Sequence, residues 1–123
     1  MQLLVIEAYR RLIEFETYLK RGNFSGLYET VRRYPVGTKR ASRSSEQVCR
    51  AVDLACIWYW KPVLCLQRSA ATVCLFRRYG ITAQLVIGVQ AMPFRAHAWV
   101  ETDGYIVNDK SYLPEIYAVL DRC

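Results

Sequence analysis

The chain of 123 residues holds one histidine, His97, two methionines, four prolines and six glycines. A single imidazole excludes most small metalloenzyme centres, which draw on several. No metal site or cofactor is expected, because no motif for one is present. Long apolar runs are also missing. The longest uncharged stretch, residues 80–94, falls short of the ~20 residues a membrane span needs. Glu7, Arg10, Arg11, Glu14 and Glu16 interrupt the region where a secretory signal would require an apolar block. The expectation is therefore a cytoplasmic protein with no membrane association. The five cysteines are odd in number and have no zinc-type spacing, so neither a disulfide framework nor a zinc site is expected.

Apolar residues make up 53% and charged residues 23% of the chain, a globular balance. The net charge of +6 is unevenly spread. Between Thr30 and Ser45 there is no acid, while Arg32, Arg33, Lys39, Arg40 and Arg43 all occur. This stretch reads as a solvated connector or as a docking surface for an acidic peptide or protein. It matches no nucleic-acid-binding module, so no nucleic-acid partner is expected.

Leu4, Tyr9, Leu12, Ile13 and Leu19 follow a helical period over residues 3–20, ending near Gly22. A second helix is predicted from Phe24 to Arg33, before Pro35. Ser44 and Gln47 have the form of a capping box that opens a third helix, which must stop near Trp60 because Pro62 follows. A fourth helix is predicted after Pro62, buried from Ser69 to Phe76 and closed by Gly80. Beyond Gly80 the period changes to 2: strands are predicted at Leu85–Val89, His97–Glu101 and Tyr105–Asp109, with Ala91–Ala96 as a connector. Helices first and strands last give an α+β fold with an antiparallel sheet. One domain over 1–123 is expected, with a helical N-terminal region (1–43) and a core (44–123).

Cys65 opens the fourth helix, where unpaired amides and the macrodipole favour thiolate over thiol. Cys74 points from the opposite side of that helix, and Cys49 and Cys56 fall at core positions of the third. Cys65 alone has an electrostatic reason to be reactive. A nucleophilic thiol needs a base, and His97 is the only histidine; its second nitrogen needs an acceptor, with Glu101, Asp103 and Asp109 as candidates. Hairpin register separates them. A two-residue Asp103-Gly104 loop sets His97 opposite Lys110, with Asp109 on the other face. A three-residue loop from Thr102 sets His97 opposite Asp109. Both loops accept Asp-Gly, so the choice is open, but the catalytic reading requires the longer one.

Two blocks carry a family resemblance. Cys65-Leu66-Gln67-Arg68-Ser69, with Leu75-Phe76-Arg77-Arg78-Tyr79-Gly80-Ile81, resembles the central block of the transglutaminase-like cysteine proteases of lasso peptide biosynthesis. His97-Ala98-Trp99-Val100-Glu101 and Asn108-Asp109 resemble that family's histidine and aspartate strands. The match runs from about Val63 to Lys110 and is loose before that; Thr82 and Gln84 depart from the family pattern. The resemblance implies a papain-related fold and an endopeptidase that removes the leader of a ribosomally made precursor peptide. By position, Cys65 would be the nucleophile, His97 the general base and Asp109 its orienting partner. It further implies a separate winged-helix-like leader-recognition protein, and a cyclase acting on the product. The alternatives are acyl transfer of the transglutaminase type and an inactive partner-binding adaptor. Tyr59, Trp60 and Trp99 are expected to pack in the core; Trp99 could instead wall a substrate groove.

Overall fold

A computed structural model describes residues 2–37 and 43–123. Four helices come first: α1 (Gln2–Lys20), α2 (Phe24–Arg33), α3 (Ser45–Trp58) and α4 (Cys65–Arg78). Strands β1 (Gln84–Gln90), β2 (Arg95–Thr102) and β3 (Tyr105–Ile106) follow, then a one-turn helix α5 (Leu113–Ile116) and β4 (Ala118–Arg122). The sheet is antiparallel with order β3-β2-β1-β4. The architecture is α+β.

Each helix boundary has a local cause. Asn23 caps α2 by accepting from the Gly26 amide at 2.9 Å. Ser44 and Gln47 form the reciprocal capping box of α3. Gly80, at φ +79°, ends α4 in a Schellman motif, with the Ile81 amide donating to Phe76 and the Gly80 amide to Arg77. Leu4, Ala8, Leu12 and Phe15 of α1 meet Val48, Ala51 and Val52 of α3 in one core. Residues 69–77 of α4 are buried throughout. Alternation on β2 sends Ala98 and Val100 into this core, while Trp99 joins a smaller cluster with Val86 and Leu113 on the opposite face.

Arg77 is a buried cation. Its guanidinium donates to the carbonyls of Val31, Tyr34, Ala83 and Cys123, tying the end of α4 to α2, to the entry of β1 and to the end of β4. A buried charge is tolerated there because every face of the fork meets a carbonyl.

Several expectations need correction. β2 starts at Arg95, inside the expected connector, and β3 ends at Ile106 instead of running to Asp109. The segment after Asp109, for which no element was predicted, supplies α5 and β4. Trp60 is exposed, stacked at 4.1 Å on the buried Tyr59. Trp99, by contrast, is fully buried, in keeping with the packing role expected for it. In the basic stretch, Arg32 pairs with Glu29 and Asp121, and Arg33 with Glu29; Lys39 and Arg40 lie outside the described residues. Among the described residues no helix is long and apolar enough to cross a membrane.

Candidate active site

The β2–β3 hairpin takes the shorter loop. Asp103 (φ +51°) and Gly104 (φ +80°) form the two-residue turn, and Thr102 pairs with Tyr105. Strand parity from this register would put Asp109 on the far side of the sheet. Nevertheless His97 Nε2 lies 2.6 Å from Asp109 Oδ2, so the longer loop is not required for the pair. The reason is local. The Val107 amide still donates to Val100, but Asn108 turns its side chain in, and its Oδ1 accepts from the Val100 amide at 2.9 Å. A side-chain oxygen thus takes the Val100 amide hydrogen bond that the Val107 carbonyl would otherwise accept. The backbone bends at 107–109, and Asp109 swings to His97.

The same strand, β2, also holds α4. Ser69 Oγ donates to the Ala98 carbonyl at 3.2 Å and receives Asn108 Nδ2 at 3.1 Å. Ser69 lies one turn beyond Cys65 on the same helix face. The second turn of α4 is thereby tied to the strand that carries His97, through Ala98, which faces the helices, while the His97 ring shares the opposite face with Trp99. Cys65, the first residue of α4, is exposed. Its N-cap is Leu64, whose side chain offers no oxygen to the first-turn amides. Among the described residues the hydrogen bonds join His97 to Asp109 and not to Cys65.

The pair is half-open, with His97 and Asp109 each about a quarter exposed. Partial burial pushes the Asp109 carboxyl up, but the His97 hydrogen bond and the Lys110 amide outweigh it and hold the group below its ordinary value. Since the bond to Asp109 uses Nε2, Nδ1 is the nitrogen left for proton exchange. The other two carboxylate candidates are not part of this pair. Glu101 accepts from the Trp99 indole at 3.0 Å and meets Arg122, and Asp103 is a turn residue. Burial raises four thiols: Cys74 to about 12, Cys49 to about 11, and Cys56 and Cys123 upward. Among the described residues no group of three or more His, Cys, Asp or Glu is arranged to hold a metal.

Behind Cys65 sits a buried polar cluster that the sequence reading did not find. Gln67 Oε1 accepts from the Leu64 amide, while Nε2 donates to the Leu12 carbonyl, Glu16 and Tyr59. The only signal was a glutamine three residues after the N-cap position, the place for a reciprocal cap. Lys61 donates to Glu16 at 2.9 Å, and this bond holds the Glu16 carboxyl below its ordinary 4.5 despite burial. A depressed carboxyl stabilises the fold above its unfolded value, and that contribution is lost as pH falls through the folded value. Glu16→Gln is thus expected to lose less stability than the native chain between pH 6 and about pH 3. Urea midpoints at both pH values check this, and parallel losses in the two proteins would contradict it.

Comparison with known proteins adds two findings. The family model described as the transglutaminase-like superfamily matches residues 10–122. The microcin J25-processing protein McjB of Escherichia coli is 38% identical over 56 residues, covering 46% of this chain and 27% of that protein. The match thus spans about a quarter of that relative's length. No solved structure matches.

Proposed function

The chain belongs to the transglutaminase-like superfamily, and from that premise we propose that it is a cysteine endopeptidase of lasso peptide maturation. Its substrate is a ribosomally made precursor, cut between leader and core. The observation that carries this reading is the 2.6 Å His97–Asp109 bond on the strand to which the Cys65 helix is tied. The partial relative is a microcin J25-processing protein, which supports the substrate class.

In this reading His97 Nδ1 takes the Cys65 proton, and Asp109 holds the ring through Nε2 and stabilises the imidazolium. The thiolate attacks the carbonyl at the leader–core junction. The oxyanion meets the Cys65 amide at the uncapped helix start. His97 then protonates the departing core amine, leaving the leader as a thioester on Cys65. Water, deprotonated by His97, resolves the thioester to a free leader carboxylate and regenerates the thiol. A leader-recognition protein of winged-helix type would present the precursor, and a cyclase would receive the core.

Superfamily membership equally admits transfer of the acyl group to an amine. Incubation of the purified chain with a precursor peptide, with and without a leader-binding partner, separates the readings by product mass. A leader with a free carboxyl is expected. A leader amide would assign acyl transfer, and an unchanged precursor with the partner present would favour a binding role.

A further inference from the structure

His97 stands directly across from Gly88 of β1, and Gly88 in turn pairs with Val119 of β4. A Cβ at Gly88 would come within 2.6 Å and 2.7 Å of the Trp99 ring and 2.8 Å from Tyr117 Cβ. The glycine is what lets these two side chains close over the strand. Tyr117 lies between α5 and β4, its amide bonded to the Leu113 carbonyl at 2.8 Å. Its ring stacks on the imidazole with centroids 5.6 Å apart and planes at 25°, within the range of favourable aromatic pairs. Trp99 backs both rings at 6.2 Å. Trp99 itself is fixed by its indole bond to Glu101, which Arg122 of β4 holds from the other side.

We propose that Tyr117 is a positioning residue for His97, its ring covering one imidazole face, holding the rotamer that reaches Asp109 and screening that hydrogen bond from water. Gly88 is required as the opening that admits it. The kinetic part rests on the peptidase reading above. The geometry explains why the chain continues past Asp109: α5 and β4 deliver the ring. A partly exposed imidazole otherwise exchanges its bond to Asp109 with solvent, and small displacements of a reacting group are costly in rate.

The single histidine makes the test direct. In the native chain, NMR should give nuclear Overhauser contacts between the His97 and Tyr117 ring protons, together with a protected imidazole N–H resonance. Tyr117→Leu should move the His97 carbon-bound proton downfield as ring-current shielding is lost, and the N–H signal should vanish into exchange. Its kcat should fall about 10-fold with KM within about twofold, and Tyr117→Phe should restore both signal and rate. Missing contacts in the native chain, or a Tyr117→Leu variant with native kcat and native His97 resonances, would overturn the proposal. The contacts need no variant to fold and no activity. Full activity of His97→Ala would instead overturn the peptidase reading, whatever the contacts report.

Discussion

Replacing Cys65 by alanine is expected to abolish precursor cleavage, by at least about 10⁴-fold, while leaving the fold intact. The thiol is exposed at the first position of α4, so removing its sulfur opens no cavity in the core. No other cysteine can stand in. Cys74 is sealed in the helix bundle with its thiol pushed up to about 12, and burial likewise raises Cys49, Cys56 and Cys123. None of the four heads a helix. Mass analysis of precursor digests, alongside a thermal melt of the variant, checks both halves of the expectation. Cleavage above about one hundredth of the native rate in a folded variant would place the nucleophile elsewhere.

Asp109→Asn is expected to lower kcat by about 10² to 10⁴-fold with little change in KM. The carboxylate does two things that an amide cannot. It accepts from Nε2 in either protonation state of the ring, fixing the tautomer that leaves Nδ1 for the thiol, and it offsets the imidazolium charge. Its other oxygen is held by the Lys110 amide at 2.8 Å, so the group is oriented by backbone as well as by the ring. Glu101→Gln is the control. Glu101 serves the Trp99 indole and Arg122 and not the imidazole, so its kcat should stay within a few-fold of native. Steady-state kinetics on both variants check the pair; equal losses would move the orienting role away from Asp109.

Much of this was legible from residues alone where the physics is local. The apolar spacing of α1, the Ser44–Gln47 box and the glycine after α4 each act within one or two turns, and each appears where the pattern puts it. The union of His97 with Asp109 was legible as a pair but not as a path. Parity assumes that a strand stays straight, and β3 does not, because Asn108 substitutes its side-chain carbonyl for a backbone one and bends the chain. Nothing in the alternation of residues 105–109 reports that exchange. The segment 113–122 was illegible for a related reason: a one-turn helix with Pro114 in its first turn and a mostly exposed edge strand carry too little period to read. Ser69 was hidden in plain view, as a polar residue one turn after Cys65 within an apolar run. Its partners lie 29 and 39 positions away and only the fold brings them together.

The account turns on whether the exposed thiol and the single imidazole act as one unit. The direct measurement is the rate at which iodoacetamide alkylates each cysteine at neutral pH, followed by peptide mapping, in the native chain and in His97→Ala. The predicted result is that Cys65 reacts first and that its rate falls about 10-fold when the imidazole is removed, with the other cysteines unchanged. Exposure alone would also make Cys65 fast, so an identical rate in His97→Ala would contradict the account.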